Sequence, residues 1–89
     1  SQNDPIYAAI DIGSNSFHMI VARLDHGEIR PLHVLAEKVQ LGKGLKNHQL
    51  AEDAVARGLA CLERFQQLLA SVKPDKIRAV GEGLGMGGI

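Results

Sequence analysis

Residues 6–17 run Ile6-Tyr7-Ala8-Ala9-Ile10-Asp11-Ile12-Gly13-Ser14-Asn15-Ser16-Phe17. The segment from Ile6 to Ile12 alternates loosely around isoleucine and alanine, which is typical of a buried strand, and Asp11 lies near its carboxyl end. The small polar residues 13–16 predict a turn, and an apolar, partly β-branched run then continues from Phe17 to Leu24. The stretch therefore predicts a β-hairpin whose tip is polar.

Three more elements are predicted after this hairpin. A turn at residues 25–27 leads to a strand over Glu28–Val39, in which Pro31 favours a sheet edge or a bulge. From about Ala51 the apolar period changes to between three and four, which predicts a helix that Pro74 ends by favouring an extended Lys73. A short strand over residues 76–80 follows. The order β-β-β-α-β predicts an α/β fold: a three-stranded antiparallel meander, a crossover helix and a parallel fourth strand.

The domain boundaries follow from the same pattern. Residues 6–81 form one partial domain, and residues 1–5 are expected to be disordered or added by cloning. Residues 81–89 contain five of the ten glycines, four of them in the tail 82–89. Because glycine loses much backbone freedom on ordering, we expect this tail to fray.

Composition narrows the classes of partner. The 89 residues include ten basic and ten acidic side chains, so no general field attracts nucleic acid, and an anion must be held by local geometry. The single cysteine, Cys61, excludes an internal disulfide and favours a cytoplasmic protein. Its place on the apolar stripe of the helix predicts a core residue. We expect no membrane span, and peripheral membrane association of a longer protein would leave no signal in this chain.

The turn is the candidate site for chemistry. Gly13 lets the backbone approach an anion, successive amides can point inward as a nest, and residues 14–16 add neutral donors. Asp11 would repel phosphate unless a cation intervened, and Mg²⁺ commonly takes one or two carboxylates together with phosphate oxygens. The residue types also allow a purely structural role, in which Asp11 and Asn15 only close a β-turn.

A family resemblance favours the phosphate-binding role. The segment Tyr7–Met19 resembles the opening signature of the exopolyphosphatase and guanosine pentaphosphate phosphatase family, and similarity continues through Glu37–Gly42, Gly44-Leu45 and Ala54–Leu62. It covers about residues 6–81. The resemblance implies an actin-like, ribonuclease H-like ATPase domain, in which Gly13, Ser14, Asn15 and Ser16 bind phosphate and Asp11 binds Mg²⁺.

The same resemblance implies a hydrolase of phosphoanhydrides. Its substrates would be inorganic polyphosphate, releasing orthophosphate, or guanosine pentaphosphate, and the full-length protein would be a homodimer. The family's catalytic glutamate and second phosphate hairpin are expected beyond residue 89, so we expect an N-terminal fragment that is inactive alone. An arginine that the family places after the fourth strand is missing from residues 81–89, and Glu82 does not replace the catalytic base.

Two alternative functions remain open. An ATP-dependent acetate kinase-like or sugar kinase-like relative would share the fold and use the same hairpin. A non-catalytic fragment could instead self-associate through unpaired strand edges. Within the chain, the loop Gly42–Lys46 could approach a polyphosphate or simply be solvated, and His18 is expected to pack or hydrogen-bond rather than bind zinc.

Overall fold

A computed structural model describes residues 4–46, 49–50, 52–81 and 85–88, with side chains for residues 4–42 and 52–81. The main elements are four strands and one helix: β1 (Ile6–Ile12), β2 (Ser16–Asp25), β3 (Glu28–Lys38), α1 (Glu52–Val72) and β6 (Lys76–Gly81). Between β3 and α1 lie a turn of 3-10 helix (Leu41–Gly44) and the short strands β4 (Leu45–Lys46) and β5 (Gln49–Leu50). After β6 comes β7 (Gly85–Gly88).

The main sheet has the order β3-β2-β1-β6-β7. Strands β1, β2 and β3 form an antiparallel meander, and β6 pairs parallel to β1, so the predicted α/β architecture with a crossover helix is confirmed. The expectation for Pro31 is also confirmed in both respects. It lies on the edge strand β3, and a register shift between Val21 and Ala22 brings it opposite Ala22.

Helix α1 packs on one face of the sheet. Alternate residues of β2 point towards it, and Phe17, Met19 and Val21 are at most 3% exposed. On the helix, a stripe at spacings of three and four is buried, namely Ala54, Gly58, Cys61 and Phe65. The apolar Val55 lies outside this stripe and is 39% exposed, because it lies about 100° around the helix from Ala54.

The opposite face of the sheet is open. Tyr7, Ile20 and Val34 point to this side and are between 38% and 67% exposed. Tyr7, Ile20 and Ile29 border a groove of about 430 Å³, which is also lined by alanines 8, 9 and 22 and by Lys76 and Arg78 on β6. This open face carries Asp11 at its carboxyl-terminal end. In the described part of the chain, no helix is long and apolar enough to cross a membrane.

The end of α1 differs from the prediction at Lys73. Lys73 has φ = 56°, a left-handed rather than extended conformation, and its amide donates to the Leu69 carbonyl at 2.8 Å. This contact caps the helix, and Pro74 then prevents its continuation. The main chain next joins β1, because the Asp75 amide donates to the Ile6 carbonyl at 2.7 Å.

Segments near both ends of the described part of the chain pair with the main sheet. Pro5 accepts a hydrogen bond from the Leu24 amide at 2.9 Å, so it extends the sheet rather than belonging to a disordered end. In the tail, Gly85–Gly88 pairs antiparallel to residues 78–81 as a fifth strand, and the expectation that the tail frays stays a prediction. Ladder hydrogen bonds along the edge of β6 offset the cost of ordering these glycines. Residues 1–3, 82–84 and 89 lie outside the described part of the chain.

Candidate phosphate-binding site

The polar turn 13–16 lies where two parallel strands end. In the register of the sheet, Ile12 at the end of β1 is beside Gly81 at the end of β6. Ligands of α/β sheets commonly bind outside the carboxyl ends of parallel strands. Ser14 and Asn15 are exposed, and Gly13 and Ser16 are half-buried. The turn is therefore accessible at the end of the sheet where a ligand is expected.

Gly13 uses its amide within the turn. This amide donates to the Ser16 carbonyl oxygen at 3.1 Å, while the expected part of Gly13 in phosphate binding stays a prediction. The positive φ values of the described residues belong to His26, Gly27, Gln40 and Lys73, so residues 13–16 do not alternate between right- and left-handed conformations as an anion nest does. A β-carbon at position 13 would lie 3.1 Å from the Ser16 oxygen. Glycine avoids this close contact with the main chain.

The carbonyl groups of the turn are held by the segment that follows β3. The Asn15 oxygen accepts from the amides of Val39 and Gln40 at 2.9 and 3.0 Å. The Ser14 oxygen accepts from the amides of Leu41 and Gly42 at 2.8 and 3.4 Å. Four consecutive amides thus converge on the two carbonyls at the tip of the hairpin.

This arrangement fixes the direction of two amide hydrogens. In a planar trans peptide the N–H points opposite to the C=O, and the described residues contain no cis peptide. Since the Ser14 and Asn15 carbonyls point to residues 39–42, the N–H groups of Asn15 and Ser16 point away from that segment. These two amides are the main-chain donors of the turn that point away from residues 39–42, whereas the Gly13 amide is engaged by Ser16.

Asp11 lies beside the turn on the open face of the sheet. Its neighbours across the strands are His18 on β2 and Val80 on β6, and Asp11 and His18 are both exposed. An exposed carboxylate is one of the oxygen ligands that Mg²⁺ takes when phosphate and water supply the others. In the described part of the chain, no group of three or more His, Cys, Asp and Glu side chains comes together. Asp11 would therefore bind the ion together with a phosphate rather than within an all-protein cage.

Arg57 was not identified from the sequence. It lies on α1, and its Nε donates to the Val39 carbonyl at 2.7 Å while a terminal nitrogen donates to the Gln40 carbonyl at 3.1 Å. The other terminal nitrogen lies 3.2 Å from Asp53, whose pKa is lowered by this hydrogen bond. A single arginine on the polar side of a helix has no spacing signal that points to a distant turn, so only the tertiary contact reveals it.

A second arginine joins α1 to β3 away from the turn. Arg64 makes a two-pronged ion pair with Glu37, in which its Nε lies 2.7 Å from one carboxylate oxygen. The hydrogen bond from Arg64 lowers the pKa of Glu37, and the same bond raises the pKa of Arg64. This pair holds the helix on the sheet without contacting residues 13–16.

The remaining candidates have simpler roles. Cys61 is fully buried, and burial raises the pKa of its thiol, with Glu37 adding to the effect, so the predicted core role is confirmed. His18 is exposed on the open face of the sheet, whereas its neighbour Phe17 is buried on the opposite face. In the loop 42–46, the main chain begins at the turn through the Gly42 amide and continues into β4. The proposed contact of Lys43 with polyphosphate concerns a side chain outside those described and stays a prediction.

Sequence comparisons find close relatives of limited coverage. The guanosine-5'-triphosphate,3'-diphosphate pyrophosphatase of Vibrio vulnificus is 44% identical over 80 residues, which are 89% of this chain and 16% of that protein. The protein of the same name from Aeromonas hydrophila is 45% identical over 80 residues. The chain thus spans about a sixth of the length of these relatives.

Solved structures and a family model agree with these matches. The Aquifex aeolicus member of the Ppx/GppA protein family superimposes with a TM-score of 0.79 at 26% identity, over 86% of this chain and 26% of the other. An exopolyphosphatase from Cytophaga hutchinsonii gives a TM-score of 0.78 at 27% identity, over 85% of this chain and 25% of the other. The family model of the Ppx/GppA phosphatases matches residues 20–82. With this match covering most of its length, the chain belongs to the Ppx/GppA phosphatase family.

Proposed function

We propose that this chain is the first phosphate-binding part of a longer enzyme that hydrolyses terminal phosphoanhydride bonds. Its substrates would be inorganic polyphosphate, with release of orthophosphate, or guanosine pentaphosphate. The observation that supports this most is the accessible turn beside the exposed Asp11, in which residues 39–42 hold the Ser14 and Asn15 carbonyls and so turn the Asn15 and Ser16 amides to the other side. The names of the relatives, which include a pyrophosphatase and an exopolyphosphatase, supply the class of reaction.

In this proposal the turn binds and orients the terminal phosphate. The amides of Asn15 and Ser16 and the hydroxyls of Ser14 and Ser16 donate to phosphate oxygens. Preorganised donors of this kind stabilise charge that develops on a transferred phosphoryl group without having to reorganise. Because the carbonyls of the same peptides are already engaged by residues 39–42, the amides keep their direction whether or not phosphate is bound.

Asp11 would hold Mg²⁺ next to this turn. The ion would offset the charge of the phosphate oxygens and so allow a carboxylate and a polyanion to lie side by side. The chain contributes the carboxylate and the donors, while the base that orients water would come from a glutamate outside these 89 residues. The 89-residue chain alone should accordingly bind phosphate without hydrolysing it. We also propose a cytoplasmic location, which the free thiol of Cys61 supports.

Phosphate release by the full-length protein tests this function. Polyphosphate, guanosine pentaphosphate and ATP would each be supplied with Mg²⁺, and orthophosphate would be measured for the native protein and for Asp11→Asn. We expect release from polyphosphate or guanosine pentaphosphate that is strongly reduced by Asp11→Asn. ATP-dependent phosphorylation of acetate or a sugar, without hydrolysis, would support the kinase-like alternative instead.

A second candidate function is self-association, which the open apolar face favours. Ile29 and Val34 are 71% and 67% exposed, and both lie on the edge strand β3. Contiguous apolar surface of this kind commonly marks an interface. Size-exclusion chromatography over a range of concentrations would test it: a shift towards a dimer supports association and a homodimeric full-length protein. A monomer at every concentration would argue against association through this chain.

A further inference from the structure

The contacts of Arg57 continue through main-chain groups to the Asn15 and Ser16 amides of the turn. Arg57 Nε donates to the Val39 carbonyl, and the Gln40 amide of the same peptide group donates to the Asn15 carbonyl. The Asn15 carbonyl in turn belongs to the peptide group whose N–H is that of Ser16. One unbroken sequence of hydrogen-bonded peptides thus connects the guanidinium with the Ser16 amide.

A second sequence runs parallel to the first. A terminal nitrogen of Arg57 donates to the Gln40 carbonyl, and the Leu41 amide of that peptide group donates to the Ser14 carbonyl. The Ser14 carbonyl shares its peptide group with the Asn15 N–H. The Asn15 and Ser16 amides are therefore the ends of two relays, each made of two peptide groups, that both start at the Arg57 guanidinium.

The chemistry of such a relay is directional. In each step an N–H donates to a C=O, and the trans peptide carries the polarisation across to its own N–H on the far side. Hydrogen bonds in sequence strengthen one another, and a cation at the start increases the partial positive charge on the last N–H. Arginine suits this position because its planar fork supplies two donors in fixed directions, which match two successive carbonyls.

The segment after β3 contains one residue with a strained backbone conformation. Gln40 has φ = 51°, a left-handed conformation that side chains other than glycine rarely adopt. With Gln40 in this conformation, the Val39 and Gln40 carbonyls face α1. The four amides of residues 39–42 face the hairpin. Asp53 contacts a different terminal nitrogen of Arg57, so both relays remain engaged alongside that ion pair.

We propose that Arg57 is a positioning residue for phosphate, acting through these two relays on the Asn15 and Ser16 amides. This inference rests on the proposed phosphate-binding function of the turn. It adds to that function a residue on α1 that contacts neither the phosphate nor the turn directly. It also gives a role to the contact between the segment after β3 and the hairpin.

The test compares four forms of the 89-residue chain: the native form, Arg57→Met, Arg57→Lys and the control Arg64→Met. Arg64→Met removes an arginine of the same helix that is bound to Glu37, so it matches the loss of a helix-to-β3 contact. Amide NMR spectra report the Asn15 and Ser16 hydrogens, and calorimetry measures tripolyphosphate binding with Mg²⁺. Thermal unfolding of each form is recorded to separate loss of folding from loss of positioning.

We expect Arg57→Met to shift the Asn15 and Ser16 amide resonances upfield and to weaken tripolyphosphate binding about three- to tenfold. Arg57→Lys should restore part of both, and Arg64→Met should leave both near native at a similar or larger loss of thermal stability. Unmoved amides in Arg57→Met, or equal effects of Arg64→Met, would overturn the proposal. If the native chain did not bind tripolyphosphate, the proposed function would fail, while the amide shifts would still decide whether the relays exist.

Discussion

The Gly13 amide nitrogen lies 3.1 Å from the Ser16 carbonyl oxygen, and a β-carbon added to Gly13 would lie at the same distance from that oxygen. The two residues close the base of the turn. The amides of Asn15 and Ser16 in this turn point away from residues 39–42. Any side chain at position 13 must displace main-chain atoms rather than a flexible side chain. The geometry of the site and the tolerance of the turn are therefore linked.

Gly13→Ala should destabilise the chain and weaken phosphate binding together. We expect a loss of about 1–3 kcal/mol in the free energy of unfolding, because the new methyl group pushes against the Ser16 carbonyl. Chemical denaturation measures the first effect and calorimetry with tripolyphosphate the second. Native stability in Gly13→Ala would show that the turn relaxes at little cost, against the tight closure described here.

Gly58→Ala provides a contrasting glycine substitution. The added β-carbon would meet Leu41 Cδ2 at 3.5 Å and Phe17 Cζ at 3.7 Å, which are ordinary contact distances. Since alanine is favoured over glycine inside a helix by up to about 1 kcal/mol, this variant should be as stable as the native chain or more so. The same denaturation experiment measures it. A clear loss of stability would mean that α1 packs closer to β2 than these distances allow.

Stability should fall in acid partly through Glu37. Its ordinary pKa of 4.5 is lowered in the folded chain by the hydrogen bond from Arg64, so the unfolded chain binds the proton more readily. The contribution is complete above the unfolded value and is lost as the pH falls from there through the lower folded value. Between neutral and acid pH, the free energy of unfolding should therefore fall less steeply in Glu37→Gln than in the native chain. Arg64→Met should flatten the curve in the same way, and an unchanged slope in both variants would contradict the assignment.

Lys73→Gly should stabilise the end of α1. Lys73 has φ = 56°, and the left-handed conformation costs a residue with a β-carbon roughly 1–2 kcal/mol. Part of this gain is offset by the greater freedom of glycine in the unfolded chain, which leaves about 0.5–1 kcal/mol. Thermal unfolding would detect it. Lys73→Ala serves as the control because alanine keeps the β-carbon, and an equal gain there would point to the lysine side chain rather than the backbone.

Local sequence patterns were sufficient for most of the fold. Strand β1 has the predicted limits Ile6–Ile12, and Pro31 lies at an edge and a bulge because a residue without an N–H is tolerated only there. The pairing of Gly85–Gly88 was missed, since glycine-rich composition carries no pattern and the pairing depends on the free edge of β6. Lys73 was also missed, because a capping contact to Leu69 outweighed the local preference before proline.

The candidate site was predictable in its composition but not in its hydrogen bonding. Residues 13–16 form an accessible turn at the end of β1, beside Asp11, as the sequence indicates. The use of the Gly13 amide by Ser16, and the engagement of the Ser14 and Asn15 carbonyls by residues 39–42, depend on contacts between segments far apart in the chain. For the same physical reason Arg57 could not be recognised: its partners lie 17 and 18 residues away in sequence.

The most direct test of the phosphate site follows the amide resonances of the turn while tripolyphosphate and Mg²⁺ are added to the native chain. The account predicts that the Asn15 and Ser16 amides shift progressively, that the Gly13 amide moves little, and that Asp11→Asn abolishes the Mg²⁺ dependence of these shifts. Saturating tripolyphosphate that leaves the Asn15 and Ser16 amides unmoved, or that shifts a distant surface instead, would contradict it.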